Sequence, residues 1–377
     1  MRPLSARETD VLIVGGGMAG VSLAAALAGR ARVRLVEQEA QPGYHATGRS
    51  VAFWNESYGG PGVQPLTSAS GPLLANPDPA FSSRPFLGPR GAIHIGQTTD
   101  AGLAEAMRRD FAASQVEMVM LSDEALHAAV PGLRAGWTIG LAEPSCADID
   151  VAALLQAYRA AARQGGVEFA LGERFVSASP DGSGWRVRTD RGEISCAIIV
   201  NAAGAWADSV AAACGLGPLG IAPLRRTVVQ LRCGGMPADF PLVIDLRGDF
   251  YFKPESAGRL WLTPHDETPD VARDVAPEEL DVAIAIERFE AVVDWRIEAV
   301  ERKWAGLRSF APDRLPVYGF DSRARAGFFW FAGQGGFGIQ TAPAAALLGA
   351  SLLLDVAKPA PVAAIDQALY APDRLMS

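Results

Sequence analysis

The run Gly15-Gly16-Gly17-Met18-Ala19-Gly20 limits what this chain can fold into more than any other feature. It follows DVLIVG at residues 10 to 15 and opens MAGVSLAAALAG at 18 to 29, and a further apolar run, RVRLVE, occupies 32 to 37. Strand, tight turn, helix and strand make a βαβ unit, the start of a parallel sheet. In the spacing G-x-G-x-x-G each glycine has its own role. Gly15 permits the turn, Gly17 lets backbone amides approach a pyrophosphate, and Gly20 lets the helix pack on the sheet. Met18 and Ala19 open the helix, whose positive end favours phosphate. Glu37 ends the second strand, where a carboxylate accepts hydrogen bonds from a ribose diol. A bound dinucleotide is expected, and this motif alone does not separate NAD from FAD.

Further along, apolar positions three to four apart predict a helix over 56 to 76, and another is read at 101 to 114. Residues 148 to 164 (DIDVAALLQAYRAAARQ) predict an amphipathic helix capped by Asp148. Short strands are expected at 167 to 178, 185 to 189 and 193 to 200, then antiparallel strands over 221 to 264. A helix at 277 to 293, strands at 297 to 310 and 328 to 332, and a last helix at 338 to 355 complete the reading. It divides the chain into a dinucleotide-binding domain built from 1–84, 147–217 and 308–377, and an inserted substrate domain from 85–146 and 218–307.

With 34 Lys plus Arg against 42 Asp plus Glu, the net charge of -8 gives no general attraction to nucleic acid or anionic lipid. Cys146, Cys196, Cys214 and Cys233 show neither C-x-x-C nor His-paired spacing, so neither a zinc site nor a disulfide framework is indicated. The N-terminus MRPLSARETD lacks the apolar core of a signal peptide, and no apolar run reaches the ~20 residues of a membrane span. A cytoplasmic protein without metal is expected. His94, His127 and His265 read as surface or loop histidines.

Three further segments carry more: Gly43-Tyr44-His45-Ala46-Thr47-Gly48-Arg49-Ser50, Val200-Asn201-Ala202-Ala203-Gly204-Ala205-Trp206 and Gly333-Gln334-Gly335-Gly336-Phe337-Gly338. With them the chain, from about residue 9 to 355, resembles the D-amino acid oxidase-like family of FAD-dependent oxidoreductases, nearest to its D-arginine dehydrogenase type. The resemblance implies an α/β fold with a Rossmann-type FAD-binding domain and an inserted, mostly antiparallel α+β substrate domain. It also implies that the glycine loop and Glu37 hold the ADP half of FAD. His45, Thr47, Gly48, Arg49 and Ser50 would lie along the flavin with Ala203, Gly204 and Trp206. Amides of the last helix, from Gly335 and Gly336 through Phe337, Gly338 and Ile339 to Gln340, would face the ring. The resemblance favours non-covalent FAD; relatives that oxidise dimethylglycine join flavin to a histidine in a setting like that of His45.

A substrate carboxylate calls for a planar cation. Arg308 lies in the apolar context WAGLRSF and needs a ligand or an acidic partner, while Arg225 and Arg226, adjacent on a strand, must point to opposite faces. By resemblance Arg226 and Arg308 clamp the carboxylate, Tyr58 and Tyr251 close on the same substrate, and the Gly336 carbonyl receives the amine. Two positions depart from the D-arginine type: Phe53 stands where a histidine is expected and Ala92 where a glutamate would meet a guanidinium. The reading is therefore oxidative deamination of an amino acid, of D configuration and with an apolar side chain, reoxidised by oxygen or a quinone-like acceptor. Oxidation of a secondary amine or a 2-hydroxy acid, NAD-dependent dehydrogenation, and a non-catalytic flavin-binding role stay open beside it.

Overall fold

The computed structural model describes residues 9 to 376, so most of the N-terminal stretch judged for a signal peptide lies outside the described residues. Thr9–Val14 is apolar on both faces, as a strand sandwiched between helices must be, and pairs in parallel with Val33–Glu37 and Glu193–Asn201. Glu168–Leu171 and Gly327–Ala332 extend the parallel run on either side. An antiparallel ribbon, Phe175–Asp181 with Gly184–Thr189, and the strand Val317–Phe320 complete an eight-stranded sheet. Alternation divides its core: Val11 and Ile13 pack with Leu23, Leu154 and Leu348 of three helices, and Leu12 and Val14 pack with Ile199 and Val210 on the other face. Each large apolar side chain so buried contributes ~1.5–3 kcal/mol.

A second, ten-stranded sheet is built around the long antiparallel pair Ala222–Gly234 and Arg296–Phe310. Helix Glu279–Glu290 covers it, burying Phe289 against Phe252 and Trp295. The strands within 221 to 264 pair antiparallel as expected, and Leu242–Asp245 also pairs in parallel with Ala92–Gln97 from outside that range.

Four helix limits differ from the sequence reading, three of them for a visible local reason. The helix placed at 56 to 76 begins only at Gln64: Gly59 and Gly60 stand at φ +106° and +79° and hold the preceding residues in turns. The helix placed at 148 to 164 runs Val151–Gln164 and is capped by Asp150, whose carboxylate accepts from the Ala153 amide at 2.9 Å, whereas Asp148 sits in the strand Ala147–Ile149. The last helix starts at Ala342 rather than 338, with Pro343, which lacks an N–H to donate, in its first turn. Residues Gly336 to Gln340 are instead a turn. The helix expected over 101 to 114 stops at Asp110.

Thr9–Val14 lies where the strand order reverses, its neighbours Val33–Glu37 on one side and Glu193–Asn201 on the other. Ligands of open α/β sheets bind outside the carboxyl ends of the strands at such a point. Gly15 and Ala202 leave two of those ends side by side.

Candidate active site

The glycine turn is built with no room to spare. A Cβ on Gly15, at φ +111°, would lie 2.4 Å from the Ala202 carbonyl oxygen, and one on Gly20 would lie 1.9 Å from that of Gly15. Gly16 is confined less tightly, by the Glu37 carboxylate at 2.9 Å. Gly17 differs: its nearest neighbour would be Thr47 Oγ1 at 3.4 Å, and its open side faces a cavity of about 450 Å³. Helix Met18–Leu27 has no acidic residue in its first turn to neutralise its positive end, and the Met18 amide donates to Thr47 Oγ1 at 3.0 Å. The cradle thus fits an anionic pyrophosphate. Glu37 accepts from the Gly16 amide at 2.5 Å and the Glu39 amide at 2.8 Å, which aim its carboxylate, and each oxygen keeps a further lone pair for a ribose hydroxyl.

Replacing Glu37 by alanine should weaken retention of the dinucleotide by one to two powers of ten, the equivalent of a charge-assisted contact of ~1.5–3 kcal/mol. Cofactor content after dialysis measures this, and full occupancy would contradict the role.

The 43–50 loop lies across this helix start. Gly48 is wedged against the Gly43 carbonyl, and Arg49 reaches outward to Asp274 and the carbonyls of Val275 and Ala305, at 3.2 and 3.0 Å. His45 packs against Trp206, with ring centroids 4.8 Å apart, and its Nε2 lies 2.9 Å from Glu39 Oε1. Most residues assigned to the dinucleotide line the cavity; Gly20, Gly48 and Phe337 do not. Gly20 and Gly48 serve close backbone packing, and Phe337 packs behind Tyr58, centroids 5.3 Å apart.

The same cavity reaches the second sheet, where Arg226, Arg308, Tyr58, Tyr251, Phe53 and Gly336 meet. As alternation requires, Arg225 turns away to Glu278 and Asp281 while Arg226 turns inward. Arg226 Nε donates to the Asp266 carbonyl at 2.9 Å, yet its buried Nη1 and Nη2 have no hydrogen-bond partner. Burial, and then the charge of Arg308, shift its pKa down; a guanidinium stays charged all the same, so a bound anion would be favoured beside it. Arg308 has the acidic partner its context demanded: Nη2 donates to Glu267 at 2.6 Å while Nη1 donates to the Tyr58 hydroxyl at 3.2 Å. Burial, with the neighbouring Tyr58, pushes the Tyr251 hydroxyl up to about 12, so it remains a donor.

Phe53 stands in the cavity wall with Val51, Val228 and Leu307. Ala92, assigned to the same pocket, lies one layer behind, in the buried cluster of Phe53 and Tyr251 and opposite Glu143 in strand register. Among the described residues the only carboxylates in the wall are Glu37 and Glu173, and Glu173 is bound to Arg34 and Thr189 in the dinucleotide sheet. Glu56 turns away to Ser68 and Ser145.

Two of the histidines read as surface or loop residues are neither free nor solvated. His94 is buried in a strand, 3.6 Å from Glu143. His265 lies in a loop but packs edge-on to Tyr251 at 5.5 Å, and burial, then Arg226 and Arg308, push its imidazole down to about 2. Its Nδ1 must donate to the Gly248 carbonyl, which leaves Nε2 a buried acceptor without a partner. The segment HDETPD at 265–270 also supplies Asp266 and Glu267, which sequence reading missed because an acid-rich stretch between strands reads as a solvated turn. Arg226, Arg308 and Arg314 against Asp266 and Glu267 leave one positive charge in excess. Gln340, assigned to the cofactor, also braces the turn before Tyr58, bonding the Asn55 amide, the Tyr58 carbonyl and Thr67 Oγ1 at 3.2, 3.1 and 3.0 Å.

A family model described as FAD dependent oxidoreductase matches residues 10–352. The chain is 28% identical over 366 residues to the bifunctional protein ThiO/ThiG of Synechocystis sp., covering 92% of this chain and 52% of that protein. It is 26% identical over 366 residues to mitochondrial dimethylglycine dehydrogenase of Mus musculus, covering 88% of this chain and 41% of that one. The chain thus spans about half the length of the first relative and less of the second. Among solved structures, glycine oxidase from Geobacillus kaustophilus superposes with a TM-score of 0.83 at 23% identity, over 97% of this chain and 98% of that one, a likeness of fold.

Proposed function

The chain belongs to the DAO family of FAD-dependent oxidoreductases, and from that premise we propose that it oxidises the carbon–nitrogen bond of an α-amino acid with an apolar side chain, of D configuration. The observation that carries the reading is Arg226: a buried guanidinium whose Nη1 and Nη2 make no hydrogen bond, Nη2 lying 3.6 Å from Glu267, in the wall of the cavity that holds the dinucleotide cradle. The donor set fits a carboxylate, because two parallel N–H groups match its two oxygens. With one positive charge in excess, a single carboxylate brings the cluster to neutrality.

FAD is the cofactor, and when bound it supplies the two-electron acceptor for the hydride leaving the α-carbon. The glycine turn and Glu37 would hold its ADP half, and Thr47, which accepts from the Met18 amide, would lie between that turn and the flavin. The chain's other work is placement. Arg226 and Arg308 fix the carboxylate, Tyr58 and Tyr251 donate beside it, and the Gly336 carbonyl receives the amine. The substrate loses a hydride and a proton to become the imino acid; water then takes the nitrogen's place, and ammonia leaves with a 2-oxo acid. Phe53, Val51, Val228 and Leu307 offer the side chain an apolar wall. The D configuration rests on the motif resemblance.

His45 is already engaged through Nε2 and packed on Trp206, which supports non-covalent FAD: acid precipitation should leave the colour in the supernatant, and colour in the pellet would point to His45.

Among the described residues no carboxylate lines the substrate end of the cavity to meet a guanidinium, whose uncompensated burial costs several kcal/mol; Asp266 and Glu267 are held by Arg226 and Arg308. Steady-state kcat/KM with a dye acceptor should therefore rank D-leucine, D-methionine and D-phenylalanine above D-arginine. D-arginine in first place would overturn the side-chain assignment. The likeness to dimethylglycine dehydrogenase favours a second reading, oxidation of an N-alkyl amino acid in the same clamp; N-methylated substrates in that panel measure it.

A further inference from the structure

Glu143 ends the strand Trp137–Glu143, is fully buried, and does not line the cavity. All of its short hydrogen bonds go to one turn. Oε1 accepts from the Glu56 amide at 2.8 Å and the Ser57 amide at 3.2 Å, and Oε2 accepts from the Ser57 hydroxyl at 2.6 Å. Burial pushes its carboxyl up, but His94 and these Ser57 donors more than offset that and hold it below the ordinary carboxylate value. An ionised carboxylate in the interior is costly unless it is paired and fully hydrogen-bonded, so three donors from one turn define where that turn can sit.

The turn carries Tyr58. Asn55 Oδ1 accepts from the Tyr58 amide at 3.0 Å, and Gln340 grips the same turn from the other side. The Tyr58 hydroxyl then receives Arg308 Nη1. A Ser–His–acid cluster invites a different reading, a nucleophile, but the geometry opposes it. The Ser57 hydroxyl lies 2.6 Å from Glu143 and 2.9 Å from Asn55 Oδ1, against 3.5 Å from His94, and none of the three residues lines the cavity.

We infer that Glu143 is a positioning residue for the carboxylate site, setting the Tyr58 hydroxyl against Arg308 by anchoring the Asn55–Tyr58 turn. This rests on the reading above that Tyr58 closes on a bound carboxylate.

The test uses FAD-loaded protein and benzoate, a carboxylate on an apolar body, titrated by its perturbation of the flavin absorbance. Tyr58→Phe should weaken benzoate binding by about tenfold, the worth of one hydrogen bond to a charged group. Glu143→Ala should weaken it comparably at unchanged flavin content. Glu143→Gln should restore binding to within about threefold of wild type, because its carbonyl can accept both amides and its NH2 can donate to Ser57. The double variant Tyr58→Phe/Glu143→Ala should bind no worse than Tyr58→Phe alone by more than about threefold, since one acts through the other. Multiplying effects, or wild-type binding in Glu143→Ala, would overturn the inference while leaving Tyr58 in the site. No effect of Tyr58→Phe would remove both. Should Glu143→Ala not fold, Ser57→Ala in the same cycle must show the same non-additivity, and additive losses there would likewise overturn it.

Discussion

Arg226→Met should raise the benzoate Kd, and the KM of an amino acid substrate, by two to four powers of ten. The magnitude follows from two charge-assisted hydrogen bonds of ~1.5–3 kcal/mol each. The variant should fold, because the Asp266 carboxylate keeps the Thr227 amide at 2.7 Å and the Thr227 hydroxyl at 3.0 Å, so only the Asp266 carbonyl gives up its Arg226 Nε donor. Relief from Arg308, the neighbouring like charge that depresses the Arg226 pKa, also favours the replacement. Arg226→Lys should fall between wild type and Arg226→Met, since an ammonium keeps the charge and loses the planar fork. A clamp acting equally on ground and transition states predicts that the limiting rate of flavin reduction changes much less than KM. Unchanged benzoate affinity in Arg226→Met would remove the clamp.

Gly336→Ala should lower kcat/KM by ten- to a hundredfold while flavin content stays at the wild-type level. A Cβ there would meet Arg308 Nη1 at 2.8 Å and the Tyr58 hydroxyl at 3.2 Å. Both are ends of side chains, so the fold can yield, but yielding separates the pair that faces the carboxylate. Gly20→Ala makes the contrasting case. Its Cβ would sit 1.9 Å from a backbone oxygen, so the glycine turn itself must move, and the protein should be recovered without flavin. Flavin-to-protein ratio and kcat/KM together separate the two; Gly336→Ala with wild-type kcat/KM would show that the Arg308–Tyr58 pair does not act on substrate.

The glycine turn, its flanking strands and Glu37 were legible because their logic is local: a period-two apolar run, a turn only glycine can make, and a small-residue helix lie within one stretch of chain. The opposed directions of Arg225 and Arg226 followed from strand alternation alone. Helix limits were less legible where competing signals lie close together. Asp148 and Asp150 are equally good caps by residue type, and what decides between them is remote: Asp148 is held by Lys253 at 2.5 Å and by Arg90. The apolar residues after Gly336 carry helical spacing, but a turn held by the Phe337-to-Gln334 and Thr341-to-Phe337 backbone bonds takes precedence. Glu267 and Glu143 were out of reach. Each acts on residues tens of positions away, through sheet pairings that no spacing in the sequence encodes.

The most direct test is anaerobic mixing of the purified, flavin-loaded protein with D-leucine while its visible absorbance band is followed. The band should bleach, 2-oxo acid and ammonia should appear in equal amounts with turnover, and 4-methylpentanoate, the same molecule without its amine, should bind but leave the band intact. A band that stays oxidised with every D-, L- and N-methyl amino acid tried, or one that bleaches with 2-hydroxy acids alone, would contradict oxidation of the carbon–nitrogen bond.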